Sequence, residues 1–253
     1  MRTILGELHT CTGLPRRDEF LVEIAKAGRP VLFTRAIEDW PARATWNLEW
    51  LERQHGHVVL KRGITVRDWI ARLREVTTQG KVKYLNVQLN EIPGLEDDVT
   101  LPRYHRFESM VRTELWVGPG GSRTPVHCDF AENIFFQVSG RKRFQLYTPD
   151  AISKFRPALD YLLYRSYKPE RLAYESDGTL RGTDLETLLA SEPVNPVFDF
   201  VIEGGEALYL PYGWYHRVSA LDFSFSLSSR WTSPPKLARR VLRFAASKIG
   251  TAF

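Results

Sequence analysis

Residues 127–147 read HCDFAENIFFQVSGRKRFQLY, and the fold turns on how this stretch is parsed. It opens with His127-Cys128-Asp129. On an extended strand side chains two apart project to the same side, so His127 and Asp129 can grip one ion while Cys128 points away. Far downstream, Tyr209-Leu210-Pro211-Tyr212-Gly213-Trp214-Tyr215-His216 supplies a second imidazole. Two imidazoles and one carboxylate can occupy one face of a ferrous ion and leave the opposite face open. A His-x-Asp pattern alone is a weak signal, and either histidine alone is more simply a turn cap or a satisfied core residue. The intervening sequence gives the triad its weight.

Asn133 to Val138 and Arg141 to Tyr147 flank Ser139-Gly140, which predicts an antiparallel hairpin closed by a two-residue turn. Pairing Val138 with Arg141 sets Gln137 opposite Lys142, Phe135 opposite Phe144 and Asn133 opposite Leu146. Those six share one face, with the odd-number parity of His127 and Asp129 on the first strand. Lys142 is therefore expected to point into the cavity that holds the metal. An isolated buried ammonium is costly, so an anionic partner is expected. The alternative is a lysine whose long stem reaches the rim and stays solvated.

Several motifs in order carry a resemblance: Pro30-Val31-Leu32-Phe33, Glu38-Asp39-Trp40-Pro41, Thr124-Pro125-Val126-His127-Cys128-Asp129, Asn133, Gly140-Arg141-Lys142-Arg143, and Gly204-Gly205-Glu206-Ala207-Leu208-Tyr209-Leu210-Pro211 followed by Trp214-Tyr215-His216. From about Arg29 to Trp231 the chain resembles the Jumonji-C or cupin-like family of iron(II) and 2-oxoglutarate dependent oxygenases. The resemblance implies a mainly β fold with flanking helices, the double-stranded β-helix or jelly-roll barrel of the cupins. By position it implies that His127, Asp129 and His216 bind Fe(II), with 2-oxoglutarate as cosubstrate and O2 as oxidant. It further implies that Lys142 and Thr124 hold the distal carboxylate of 2-oxoglutarate, with help from Tyr84 and Asn133. Glu206 stands where the family usually has Asp. On the last barrel strand, Phe225 to Trp231, Ser228 stands where an asparagine often contacts the cosubstrate. Arg230 is a rival carboxylate anchor, ranked after Lys142 because the face of Lys142 is better determined.

At 253 residues and 43% hydrophobic content the chain can bury one full core. Residues 1–231 are expected to form a single catalytic domain, with a helical part over 1–80 and a barrel over about 81–231. Met1 to Phe20 carries Glu7, His9, Asp18 and Glu19 and no apolar run, so no secretory segment is expected. No stretch approaches a membrane span. With only Cys11 and Cys128, no disulfide framework or cysteine-ligated zinc module is suggested, and a cytoplasmic location is expected.

Helices are expected over Arg16 to Lys26, Asn47 to His55 and Thr65 to Val76, the last opened by a Thr65-x-x-Asp68 capping box. Lys81 to Leu89 then alternates, with Leu85, Val87 and Leu89 on one face and Tyr84, Asn86 and Gln88 on the other. A barrel strand facing a polar cavity reads this way, as does a solvent-facing sheet. An insertion is expected over about 148–196, where Tyr161, Tyr164 and Tyr167 alternate with Arg165, Lys168 and Arg171; such a segment is either a lid beside the metal or core packing.

Ser233-Pro234 opens an expected C-terminal helix within 232–253. Lys236, Arg239, Arg240 and Arg243 stripe one side of it, and Lys248 follows, with no acidic residue from Thr232 on. The formal charge of the whole chain is +5, so the basic excess lies in this segment. It suits a packed helix with a solvated face or an anionic partner, and the resemblance implies a homodimer contact through this helix.

The reaction that the resemblance implies is oxidative decarboxylation of 2-oxoglutarate to succinate and CO2, coupled to hydroxylation. A peptide or protein side chain is the first choice of substrate, ahead of a small metabolite or a modified tRNA base. A non-enzymatic cupin-type metal or ligand binder is the reading from a different class.

Overall fold

The computed structural model describes residues 7–78, 84–105, 111–129, 131–149 and 194–232, with backbone only for 76–78. The strands are β1 (His9–Thr12), β2 (Val31–Thr34), β3 (Leu85–Gln88), β4 (Val111–Gly118), β5 (Arg123–Cys128) and β6 (Glu132–Ser139), then β7 (Arg141–Tyr147), β8 (Phe198–Glu203), β9 (Ala207–Leu210), β10 (Tyr215–Ala220) and β11 (Ser224–Trp231). They form two sheets, ordered β1-β2-β9-β6-β11-β4-β3 and β5-β10-β7-β8. Every pairing is antiparallel except β1 with β2. Two facing antiparallel sheets of this order make the double-stranded β-helix. Among the described residues no helix is long and apolar enough to cross a membrane.

Side-chain alternation sorts each strand between two cores. From β6, Phe135 faces inward and meets Phe144, Leu146, Ile202, Leu208, Leu210 and Val218 between the sheets. Its neighbours Ile134, Phe136 and Val138 face outward into a larger core with Leu227, Trp40, Leu51, Trp69 and Ile70. Helices therefore cover the outer face of the seven-stranded sheet, and β6 is buried on both faces, which explains its near-continuous apolar run. Val126, Tyr147 and Tyr215 form a third, smaller cluster.

The local signals for the helices hold. The helix Leu48–His55 starts at Asn47, whose side chain accepts from the Trp50 N–H at 2.8 Å. The helix Val66–Thr78 starts with a reciprocal box, Asp68 N–H to Thr65 Oγ1 at 3.1 Å and Thr65 N–H to Asp68 Oδ2 at 3.2 Å. The first helix begins as α at Arg17–Glu19 and widens to π over Phe20–Ala25. The widening sits where Phe20 stacks on Tyr104 at 3.9 Å and meets Tyr209 edge-on at 5.0 Å. The part expected to be helical, 1–80, also supplies β1 and β2, and β2 pairs with β9. Strand β3 is shorter than the alternation suggested, and Leu89 turns into a short 3-10 helix.

The expected hairpin does not form. β6 pairs with β9 and β11, β7 pairs with β8 and β10, and Ser139-Gly140 instead carries the chain from one sheet to the other. A two-residue link permits either outcome, and here both edges of β6 are taken by β9 and β11. The inward parity survives because facing strands of opposed sheets also turn one residue set toward the common interior. Phe135 and Phe144 meet edge-on at 5.1 Å as expected, across the barrel rather than across a ladder.

The helix expected within 232–253 and the tyrosine stripe of the 148–196 insertion lie outside the described residues.

Gly140 makes the sheet-to-sheet passage at φ +74°, and a Cβ there would lie 2.2 Å from the Phe223 carbonyl oxygen. Gly140→Ala is expected to cost about 2–3 kcal/mol in urea unfolding. Gly63→Ala, at the same φ with nothing within 4 Å, should cost about 1 kcal/mol.

Candidate functional site: a His-Asp-His centre inside the barrel

His127 lies on β5 and His216 on β10, and the two are direct partners in the ladder. Their rings sit 4.2 Å apart between centroids. Asp129, just past the end of β5, brings Oδ2 to 4.0 Å from His216 Nε2. The candidate ligand atoms of all three lie within 4.8 Å of one another. His127 Nδ1 is 2.8 Å from the Pro125 carbonyl and His216 Nδ1 is 3.2 Å from the Trp214 carbonyl. A carbonyl only accepts, so each Nδ1 carries the hydrogen and each Nε2 keeps the lone pair that a metal requires.

The charges suit the same use. Burial, and then the neighbouring His127, pull His216 down to about 4, so it is neutral near pH 7. Burial pushes the Asp129 carboxyl up, but Arg230, His216 and His127 together outweigh it and hold the group below the usual carboxylate range. A carboxylate and two imidazoles that turn Nε2 to one side of an open position fit a ferrous ion.

Between His216 and Val218 the register of β10 against β5 shifts by one residue, so that Val218 faces Thr124. This bulge matters for Thr124. Strict alternation from His127 would send it outward with Cys128, whereas the extra residue returns it to the face of Val218, which is in the inner core.

Lys142 is 2% exposed and turned inward, its Nζ 4.4 Å from the centre of the Tyr84 ring and 5.2 Å from that of Phe135. Burial alone pulls it down to about 7, and no carboxylate among the described residues pairs with it. The anionic partner expected for a buried lysine is thus not supplied by these residues. Tyr84, held neutral by burial, donates to the Ser122 carbonyl at 3.3 Å. The hydroxyls of Ser122 and Ser224 are buried with no hydrogen-bond partner. An inward ammonium with no carboxylate partner among the described residues is a cradle for a carboxylate.

The other candidates gather around Asp129. Asn133 Nδ2 approaches Asp129 Oδ2 at 3.5 Å, and Ser228 donates to Asn133 Oδ1 at 3.0 Å. Arg230 donates to Asp129 Oδ1 at 3.1 Å and pairs with Glu114. Its guanidinium is therefore committed to two carboxylates, away from the Lys142 cradle. Glu114 is a site residue that sequence reasoning misses; the one signal for it is an acid placed directly before the apolar run Leu115-Trp116-Val117. Among the nearby aromatics, Phe135 and Phe144 belong to the inner core. Phe136 and Phe225 belong to the outer core, and Trp214 packs beside the inner one while donating to the Gly28 carbonyl at 3.0 Å.

A double-stranded β-helix with two histidines and an aspartate converging inside it defines a metal-binding cupin barrel. Residues 61–236 match the cupin-like domain family. The chain belongs to that family, the Jumonji-C or cupin-like family. It is similar to "Lysine-specific demethylase 8" of Xenopus tropicalis, 26% identical over 91% of this chain and 53% of that protein. It is likewise similar to "Lysine-specific demethylase JMJ30" of Arabidopsis thaliana, at 27% over 88% and 56%. To "2-oxoglutarate and iron-dependent oxygenase JMJD4" of Homo sapiens it is 26% identical over 83% and 57%. The chain spans little more than half the length of these relatives.

The buried lysine gives a signed pH prediction. An ordinary lysine titrates near 10.5 and Lys142 at about 7, so between those values the unfolded chain holds a proton that the folded one lacks. Stability without cosubstrate should then rise with pH across this window, by at most about 1.4 kcal/mol per pH unit. Below pH 7 the full cost of the buried charge remains. Lys142→Met should be more stable than the parent at pH 6.5, with the gap narrowing by pH 10; a gap that does not change in urea titrations would mean that Lys142 is solvated.

Proposed function

We propose that this chain is an Fe(II) and 2-oxoglutarate dependent oxygenase that hydroxylates a peptide or protein side chain, with succinate and CO2 as co-products. The observation that carries this reading is the pairing of an open-faced His127-Asp129-His216 centre with the inward Lys142, which has no ion-pair partner among the described residues. A passive metal-binding cupin needs the first and has no use for the second.

Bound iron and 2-oxoglutarate would supply the oxidising power, with one atom of O2 going to succinate and the other to the substrate. The rest falls to the chain. His127, Asp129 and His216 would hold the ion, the two imidazole rings fixed by the Pro125 and Trp214 carbonyls. Lys142 binds the distal carboxylate of the cosubstrate, with Thr124, Tyr84 and Asn133 lining its path. Phe135 and Phe144 keep water from the interior. Ser228 acts through Asn133, to which it donates.

The names of two relatives favour a second reading, removal of a methyl group from lysine. The chemistry is shared, because hydroxylation of an N-methyl carbon gives a product that loses formaldehyde. Intact-mass measurement separates the outcomes: a peptide substrate gains one oxygen in the first case and loses one CH2 in the second. Oxidation of only small metabolites or tRNA bases would remove the protein substrate from the proposal. The basic helix expected within 232–253 supports an anionic partner or a homodimer contact as a further part of this reading.

His127→Ala, Asp129→Ala and His216→Ala are each expected to abolish succinate formation while the protein stays folded. Lys142→Ala should weaken 2-oxoglutarate by about 1.5–3 kcal/mol, the scale of a hydrogen bond to a charged group, in calorimetric titration with manganese in place of iron. Full turnover by any triad variant would remove that residue from the metal site.

A further inference from the structure

Arg230 is joined to the metal centre by a chain of polar contacts that the reading above does not use. Its Nη1 donates to Asp129 Oδ1 at 3.1 Å, and its Nη2 makes a very short contact with Glu114 Oε2. Glu114 is held in turn by Gln88, whose Nε2 donates to Oε1 at 3.1 Å. The side chains of Arg230, Glu114 and Asp129 keep 25%, 12% and 18% of their exposure, so the group lies largely out of water. The two oxygens of Asp129 consequently face different neighbours. Oδ1 is taken by the guanidinium, while Oδ2 points to His216 and Asn133.

Resting on the oxygenase reading, we infer that Arg230 is a positioning residue that restricts Asp129 to one metal-binding oxygen, and that Glu114 balances the charge of Arg230. A carboxylate binds a metal through one oxygen or through both. With three single-point protein ligands, a six-coordinate ion has room for a chelating 2-oxo acid and for O2. If Asp129 took a second position, one of those would be lost. Holding Oδ1 prevents this, but it puts a fixed positive charge beside the ion, and at low dielectric that repulsion is strong. Glu114 offsets it, so that the clamp as a pair is neutral toward the metal. Strand pairing sets the geometry: Glu114 on β4 is the ladder partner of Ser228 on β11, two residues before Arg230 on the same strand.

Removal of the two members should therefore act in opposite directions. Arg230→Met is expected to bind Mn(II) about fivefold more tightly, because Asp129 regains both oxygens and a nearby cation is gone, yet the manganese-loaded protein should bind 2-oxoglutarate about fivefold more weakly. Glu114→Gln leaves the guanidinium unbalanced and should weaken Mn(II) by a similar factor. The double variant should return to near the parental metal affinity. Calorimetry of the full chain, with Mn(II) alone and then with 2-oxoglutarate, reads all four proteins without any turnover. A merely structural pair would weaken metal binding in both single variants, and that result overturns the inference. So does loss of 2-oxoglutarate affinity in Arg230→Met with no gain for metal, the mark of a direct anchor. If Arg230→Met does not fold, Arg230→Gln is read in its place with the same expected gain for Mn(II), and unchanged manganese affinity in Glu114→Gln sinks the clamp. Failure of the parent protein to bind Mn(II) and 2-oxoglutarate together would instead overturn the oxygenase reading itself.

Discussion

The ladder pairing of His216 with His127 is the contact on which the rest of the site depends. It sets two imidazoles at one level of adjacent strands, where the carbonyls of Pro125 and Trp214 fix both rings by the same two-residue relation. One step along, the bulge between His216 and Val218 reverses the phase of β5. The metal ligands and Thr124 can then share an interior that strict alternation would have denied to one of them. A slip of one residue in this pairing would send a histidine outward and leave Asp129 facing a single imidazole.

Inside the barrel, charge is arranged as two separate accounts of sign. Near the metal position, Asp129, Arg230 and Glu114 form a compact set in which every ionic group has a partner. Toward the other end, Lys142 lies buried over aromatic rings with no carboxylate among the described residues to match it. A buried cation without an anion costs folding energy, and such a cost persists in proteins where a ligand relieves it. The two ends thus differ in charge balance: one is matched within the described residues and the other is not.

The failed hairpin shows where local reading stops. Ser139-Gly140 has the composition of a two-residue turn, and the runs on either side have matching apolar parity. Yet pairing partners are chosen by the burial available over the whole sheet. β6, apolar on both faces, takes the centre of the larger sheet between β9 and β11, and β7 goes to the smaller one. The forecast that Lys142, Phe135 and Phe144 share an interior was right although the pairing behind it was not, because side-chain phase is carried along the chain through the link and does not depend on which strand lies alongside.

Local sequence by itself determined what depends on period and spacing: the grip of His127 and Asp129, the inward phase of Lys142, the caps at Asn47 and Thr65, and the order of motifs that marks the family. Tertiary structure alone decided which strands lie together, that a bulge turns Thr124 inward, and that Arg230 meets Asp129 and Glu114 rather than the Lys142 cradle. The physical reason is one of range. A side chain's direction follows from its own backbone within two or three residues, whereas its partner comes from a strand about a hundred residues away, as with Asp129 and Arg230, and that meeting is fixed only when both sheets close around one core.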